Sequence, residues 1–238
     1  MINQTRVLVA AHTGCGNAPD NTTDSFLEGV DSGADIVEVD IRVTNDGTAI
    51  LLHDDTPLLR AYTYEQLNQQ EIRVQLDPVY EKHEIPRLDD ILQLAAMHKV
   101  KLNLDIKDKE SIEPAMESIK RFEHPDRLFI TGCSDGITRH NGGIQVLMNT
   151  PDELAADEEL DYEAFALAIC EQAQHEGYYG INMNYRTCRK EIVDIAHARN
   201  LAVWVYTVDD PIVMKIFIQM KVDAITTRKV EGMLEIRK

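Results

Sequence analysis

The chain has 238 residues, of which 44% are hydrophobic and 27% are charged, a composition typical of a globular protein with its own core. Its 24 basic and 41 acidic residues give a net charge of −17, which argues against nucleic acid or an acidic membrane surface as a partner because the long-range field repels polyanions. A small anionic substrate stays compatible with this charge if a metal or a few local cations hold it.

Two features of the sequence indicate the cellular compartment of the protein: the spacing of its cysteines and its first residues. The four cysteines are far apart and show neither zinc-site nor disulfide spacing. The segment "MINQTRVLVAAH" lacks the basic region, apolar core and cleavage site of a signal peptide, and no run reaches the ~18 apolar residues of a membrane span. We therefore expect a cytoplasmic protein with reduced thiols and no stable membrane anchor.

Apolar runs of strand length recur along the whole chain, with helical patterns between most of them. The predicted strands are 6–12, 35–41, 48–54, 100–106, 127–133, 144–150, 180–185, 201–208 and 222–227. The clearest helical patterns are 21–34, 87–99, 161–177, 189–200 and 211–221. This alternation predicts a parallel sheet, and about eight repeats predict a closed (β/α)₈ TIM-type barrel that spans residues 1–238 as a single domain.

Two parts of this pattern do not fit eight strands cleanly. There are nine candidate strands, and 180–185 is the weakest of them. The segment "TNDGT" at 44–48 indicates either a hairpin centred near Asp46, with Asp40 opposite the step from Leu52 to His53, or a bare connection between two parallel strands. Both alternatives make Asp40 and His53 neighbours.

Acidic residues cluster at the expected carboxyl ends of two strands. Glu38 and Asp40 are two residues apart in a strand, so both side chains point to the same face. Asp105 shares a face with Lys107 in the same way in "LNLDIK". Because functional groups of such barrels lie at the carboxyl ends of the strands, these carboxylates predict a site for Mg²⁺ or Ca²⁺. A structural salt bridge at the strand end is the alternative for Glu38 and Asp40.

Two histidines complete this predicted mouth. His12 ends the first strand and His53 ends the third, and histidines that stay off the metal can act as general base and general acid near neutral pH. Lys107 can stabilise charge on phosphate oxygens. Each residue alone has a structural explanation, such as a loop cap at His53, but their convergence at one barrel end predicts metal-assisted cleavage of a phosphodiester.

The order of these motifs resembles that of the glycerophosphodiester phosphodiesterase family, which has the phospholipase C-like barrel architecture. The family pattern is His-Arg-Gly, Pro-Glu-Asn-Thr, Gly-Ala-Asp with Glu-x-Asp, Thr-x-Asp-Gly and His-Asp. The matching run is "HTGCGNAPDNTTDSFLEGVDSGADIVEVDIRVTNDGTAILLHDDT" at 12–56. The similarity continues through "EIPRLDDIL", "LNLDIK", "AVWVYTVDD" and "KVDAITT".

The resemblance implies roles for individual residues and a reaction. Metal ligands would be Glu38, Asp40 and Asp105, the acid–base pair would be His12 and His53, Lys107 would contact phosphate, and Trp204 would line the pocket against glycerol. Core packing is the alternative for Trp204. The implied reaction releases glycerol 3-phosphate and an alcohol, with a cyclic phosphate as an intermediate if a glycerol hydroxyl attacks first.

The sequence also departs from the family pattern. Thr13 replaces the phosphate-binding arginine, whose bidentate contact threonine cannot provide. Asp20 and Asp105 stand where glutamate is usual, and "TTRKV" places Arg228 near the position of a usual aspartate.

Three hypotheses follow from these departures. The first is a Mg²⁺- or Ca²⁺-dependent hydrolase of glycerophosphodiesters, in which Arg42 or Arg60 supplies the positive charge that Thr13 lacks. The alternatives are a hydrolase of another small phosphodiester, such as a lysophospholipid or a sugar-phosphate diester, and a barrel that binds phosphodiesters without cleaving them. The two histidines favour an enzyme, because a binding protein does not need an acid–base pair.

Overall fold

The structure is a computed structural model that describes residues 6–13, 15–140 and 143–238. The signal-peptide prediction rests partly on residues 1–5, which lie outside these ranges. The strands are β1 (Leu8–Ala11), β2 (Ile36–Val43), β3 (Ala49–Leu51), β4 (Lys101–Ile106), β5 (Leu128–Gly132), β6 (Gln145–Asn149), β7 (Gly180–Asn184), β8 (Ala202–Tyr206) and β9 (Ala224–Thr227).

Helices connect most of these strands. They are α1 (Thr23–Asp31), α2 (Pro57–Ala61), α3 (Tyr64–Leu67), α4 (Gln70–Arg73), α5 (Leu88–His98), α6 (Ile112–Lys120), α7 (Ala156–Leu160), α8 (Tyr162–Glu176), α9 (Lys190–Ala198), α10 (Pro211–Met220) and α11 (Val230–Ile236). The five predicted helical patterns correspond to α1, α5, α8, α9 and α10. Across the described ranges, none of these helices is both long and apolar enough to cross a membrane.

Eight parallel strands close into the predicted barrel. Their order is β1-β9-β8-β7-β6-β5-β4-β2, and pairing of β1 with β2 closes the ring. The weakest of the nine candidate strands, 180–185, corresponds to β7. It is hydrogen-bonded between β6 and β8 and is therefore one of the eight strands of the barrel. The additional ninth strand is β3, which pairs antiparallel with β2 outside the ring.

The hairpin alternative is correct for β2 and β3. Arg42 lies opposite Ile50, and the amide of Leu52 donates to the carbonyl of Asp40 at 3.1 Å. Gly47 in the turn has φ +79°, a conformation that glycine adopts without steric cost. The short turn therefore places His53 one residue beyond the partner of Asp40.

The segment between β3 and α5 forms a small layer beside the mouth of the barrel. It contains α2, α3, α4 and the 3₁₀ helix Pro78–Glu81, and its buried side chains form a cluster separate from the main core. No periodic pattern predicted these elements, because helices of four or five residues are too short to show one. This layer forms one wall of the outer cavity described below.

Candidate active site

Neighbouring strands bring the three predicted acidic residues together. In the register of β2 and β4, Asp40 is paired with Asp105, and Glu38 with Asn103. One carboxylate oxygen from each of Glu38, Asp40 and Asp105 lies within 4.8 Å of the others. We refer to these three residues as the carboxylate group.

Asp40 is held by an asparagine and a lysine. Asn21 Nδ2 donates to Asp40 Oδ2 at 2.7 Å, and the Asp40 amide donates to Asn21 Oδ1 at 3.0 Å. Lys107 Nζ lies 2.7 Å from Asp40 Oδ1. Burial alone would raise the pKa of Asp40, but the charge and hydrogen bond of Lys107, together with Asn21, hold it below its usual value. Sequence analysis missed Asn21, which stands in the "PDNTT" motif.

Asp105, the third member of the carboxylate group, also contacts Lys107. Lys107 Nζ donates to Asp105 as well as to Asp40, and Thr131 Oγ1 donates to Asp105 Oδ1 at 2.9 Å. Burial lowers the pKa of Lys107, but the two carboxylates outweigh burial and raise it. Lys107 therefore carries a full positive charge at the centre of the site.

Among the described residues, Glu38 forms no ion pair with Lys107, unlike Asp40 and Asp105. Its side chain is buried, and Oε2 accepts a hydrogen bond from the amide of Thr13 at 3.2 Å. Burial, Asp40 and Asp105 raise its pKa well above the usual value. Three carboxylates face one lysine, so full ionisation leaves an excess of two negative charges. The charge and the all-oxygen donor set fit a divalent Mg²⁺ or Ca²⁺ ion.

Both predicted histidines lie at this mouth, and their partners orient them. His12 Nδ1 donates to the carbonyl of Thr13 at 2.6 Å, which leaves Nε2 as the free ring nitrogen. Burial lowers the pKa of His12, although its hydrogen bond to Thr13 opposes this effect. His53 Nδ1 contacts Asp54 Oδ1 at 2.6 Å, and Arg42 Nε donates to the His53 carbonyl at 2.8 Å.

Two adjoining cavities share these histidines. The inner cavity, of about 480 Å³, is lined by His12, His53, the carboxylate group and Lys107. The outer cavity, of about 760 Å³, is lined by residues that include His12, His53, Arg228 and, beside the mouth, residues 75–77, 79 and 80. A substrate that bridges the histidines therefore has space on both sides.

An arginine from the other end of the chain lies beside Thr13. Arg228 Nη1 donates to the Thr13 carbonyl at 3.0 Å, and Nη2 donates to Asp20 Oδ2 at 2.9 Å. These contacts join positions 215 residues apart, because β9 pairs with β1 in the closed barrel. The sequence showed Arg228 as a departure but gave no sign of its place.

Among the described contacts, neither arginine named from the sequence bonds to Thr13. Arg42 donates to the His53 carbonyl and to Asp108 Oδ2, the latter at 2.7 Å. Arg60 pairs with Asp55 at 2.9 Å and lines neither cavity. Arg42 therefore positions the histidine segment, whereas the structure gives no support for substrate binding by Arg60.

The predicted contact of Trp204 with glycerol is not supported either. The Trp204 side chain is 1% exposed and packs inside the barrel with its ring centroid 4.6 Å from that of Phe129. The core-packing alternative is the one that the structure shows. Two residues further along β8, Tyr206 reaches the inner cavity and donates to Asp152 Oδ1 at 3.0 Å. The aromatic residue at this edge of the site is therefore Tyr206.

Gly132 packs so closely against the carboxylate group that its replacement by alanine should displace the carboxylates. Its φ is +75°, and a Cβ atom would lie 2.3 Å from the Ile106 carbonyl oxygen and 2.7 Å from Asp105 Oδ1. We expect Gly132→Ala to cost about 1–3 kcal/mol of stability and to reduce the rise in Tm on adding Mg²⁺ or Ca²⁺. Gly177→Ala is the matched control, because Gly177 has φ +80° with nothing within 4 Å of the added atom. An equal metal response in both variants would contradict the prediction.

Known proteins show the same sequence pattern and fold. The chain matches the Glycerophosphoryl diester phosphodiesterase family over residues 12–231. A Glycerophosphodiester phosphodiesterase from Bacillus altitudinis is 24% identical over 249 residues, 96% of this chain and 97% of that protein. The Bacillus subtilis protein YqiK is 28% identical over 137 residues, 52% of this chain and 56% of that protein.

A solved structure shares the barrel. It is an Oleispira antarctica phosphodiesterase in complex with the product sn-glycerol-3-phosphate, with a TM-score of 0.78 and 19% identity over 97% of this chain and 96% of that one. Together with the family match, this likeness confirms the resemblance drawn from the motifs.

Proposed function

Because the chain belongs to the glycerophosphoryl diester phosphodiesterase family, which is a family of enzymes, we propose that it hydrolyses glycerophosphodiesters to glycerol 3-phosphate and an alcohol. The observation that carries the proposal is the carboxylate group and Lys107 lying in one cavity with His12 and His53. The Oleispira antarctica relative of the same fold, solved with sn-glycerol-3-phosphate, supports this choice of product.

Glu38, Asp40 and Asp105 would hold one Mg²⁺ or Ca²⁺ ion. When bound, such an ion supplies electrostatic stabilisation of charge on the phosphate oxygens. Asn21 and Thr131 orient two of these carboxylates through their hydrogen bonds. These hydrogen bonds hold the carboxylate oxygen atoms in position, so that the strands need not rearrange when the metal binds.

The two histidines would move the protons of the reaction. One accepts the proton of the attacking hydroxyl, which belongs to the glycerol moiety or to water, as the new P–O bond forms. The other donates a proton to the leaving alcohol oxygen as the old P–O bond breaks. If the glycerol hydroxyl attacks, this step gives a cyclic phosphate, and water then opens the ring in a second step, with the two proton transfers reversed, to give glycerol 3-phosphate. Hydrogen bonds through Nδ1 to Thr13 and Asp54 leave Nε2 of each ring for this transfer.

Lys107 and Arg228 would hold the phosphate from two sides. Lys107 has its charge beside the carboxylate group, and Arg228 lies at the Thr13 backbone next to His12. Thr13 would contribute to phosphate binding through its backbone and not through its side chain. Its hydroxyl is buried and already accepts a hydrogen bond from the Asn21 amide at 2.5 Å.

Arg228→Ala tests the relocated arginine. We expect KM for a glycerophosphodiester to rise about 10-fold or more, because a charge-assisted contact to phosphate is lost, and Arg228→Lys to recover part of the loss. Arg121→Ala is the control, since Arg121 pairs with Asp89 on the outer surface. An unchanged KM in Arg228→Ala would remove this residue from phosphate binding.

Product release tests the proposed function directly. Release of glycerol 3-phosphate from glycerophosphocholine, glycerophosphoethanolamine and glycerophosphoglycerol should require Mg²⁺ or Ca²⁺ and should stop in EDTA. If no glycerophosphodiester is cleaved although metal raises Tm, the proposed reaction is wrong, and lysophospholipids and sugar-phosphate diesters become the substrates to assay. A protein that binds all these diesters without turnover would be a binding barrel. The cytoplasmic location stays a prediction of the sequence.

A further inference from the structure

The outer cavity lies where the leaving alcohol would be released. It shares His12 and His53 with the inner cavity and extends from them toward residues 75–80. A diester whose phosphate is held in the inner cavity therefore has the outer cavity as space for its second ester group. This placement rests on the proposed function.

The charge of the outer cavity is negative. Four carboxylates line it, those of Asp20, Asp54, Asp55 and Asp77. Asp20 is paired with Arg228, and Asp55 is paired with Arg60. The Asp54 partner is His53, which adds positive charge only when protonated.

Asp77 faces this cavity without a cation. Within the described residues its carboxylate is in no ion pair, and it accepts a hydrogen bond from the amide of Val79 at 2.8 Å. That hydrogen bond caps the 3₁₀ helix Pro78–Glu81. Asp77 therefore places a carboxylate with no paired cation among the described residues at the wall of the cavity.

Tyr80 gives the cavity an aromatic wall and an independent sign of a ligand. The residue is 5% exposed and lines the cavity, yet its hydroxyl has no hydrogen-bond partner among the described residues. Burial and the nearby Asp77, Asp20 and Asp54 raise the pKa of Tyr80 to about 12, so the phenol stays neutral. A neutral aromatic ring beside acids is a setting that favours an organic cation.

We propose that the outer cavity is the leaving-group subsite and selects glycerophosphodiesters whose alcohol carries an ammonium group. The apolar side chains of Leu52, Leu76 and Val79 complete the wall and can contact the methyl or methylene groups of such an alcohol. Neutral alcohols lose the attraction of Asp77 and Tyr80, and alcohols with a carboxylate are repelled.

A matched pair of substrates isolates the charge. Glycerophosphocholine is compared with the glycerophosphodiester of 3,3-dimethylbutanol, in which a carbon atom replaces the quaternary nitrogen at nearly the same size. With the metal-loaded protein, we expect kcat/KM for glycerol 3-phosphate release to be about 10-fold higher for the charged substrate. Raising the salt concentration should reduce this preference, because Asp77 is exposed.

Variants then assign the preference to the cavity. Asp77→Asn keeps a residue that can cap the 3₁₀ helix, and we expect it to lower the preference about 3-fold. Tyr80→Leu removes the ring and should lower the preference further, whereas Tyr80→Phe keeps the ring and most of the preference. Asp126→Asn is the control, because Asp126 is an exposed acid before β5, at the opposite end of the barrel.

Three results would each contradict a different part of the proposal. Cleavage of both substrates with equal kcat/KM would overturn the subsite while leaving the proposed hydrolase function intact. Cleavage of neither substrate by the metal-loaded protein would overturn the hydrolase function and the subsite together. A preference that persists in both Asp77→Asn and Tyr80→Leu would show that charge selection lies elsewhere.

Discussion

We expect His12→Ala to lower kcat for glycerophosphodiester hydrolysis by about 100- to 10,000-fold, because the transfer of one proton in the transition state loses its carrier. The side chain of His12 is oriented by the Thr13 carbonyl and is not part of the carboxylate group. Metal should therefore still raise the Tm of the variant by nearly as much as it raises that of the parent. Steady-state kinetics and thermal melts with and without Mg²⁺ or Ca²⁺ measure both quantities.

Two further variants make this result specific. His53→Ala should show a loss of similar size, because the opposite proton transfer depends on it. His175→Ala is the control, since His175 is an exposed residue in the last turn of α8. Parent-like kcat in His12→Ala would exclude His12 from the mechanism, and loss of the metal-induced Tm shift would instead place it among the metal ligands.

Glu38→Gln should weaken metal binding at least about 100-fold, because glutamine keeps the shape of the side chain but removes one of three anionic ligands. In the metal-free protein Glu38 has a raised pKa caused by burial, Asp40 and Asp105. Folding stability therefore falls as the pH rises from the usual carboxyl pKa through this raised pKa, and the loss is complete above it. We expect metal-free Glu38→Gln to melt at or above the temperature of the parent at neutral pH, and metal to protect it much less.

The size of the expected shift follows from mass action. A metal present at 100 times its Kd stabilises the folded state by about 2.7 kcal/mol, and a 100-fold weaker site leaves less than about 0.5 kcal/mol at the same concentration. Asp223→Asn is the matched control, because Asp223 is a buried acid that accepts hydrogen bonds from His197 and the Val203 amide away from the site. It should lower Tm and keep the metal-induced shift. An unchanged metal titration in Glu38→Gln would make the carboxylate pair a structural feature only.

Local patterns in the sequence were sufficient for the strands and for much of the site. A strand repeats every two residues, so Glu38 and Asp40 had to share a face, as did Asp105 and Lys107. The short turn with Gly47 limited the position of His53 to a neighbour of Asp40, and the hairpin register confirms this. These predictions depended on spacing over a few residues, which the sequence itself contains.

The sequence by itself therefore determined the barrel, the acidic face of β2 and β4, and the family, because each is written in short-range periodicity or in motif order. Only the tertiary structure decided where Arg228 lies, because barrel closure brings β9 beside β1 across 215 positions of the chain. It also decided the depth of Trp204, since strand periodicity assigns a side chain to a face but not to a layer within the barrel. The outer cavity also depended on the tertiary structure, because the packing of the short helices after β3 places Asp77 and Tyr80 beside the mouth.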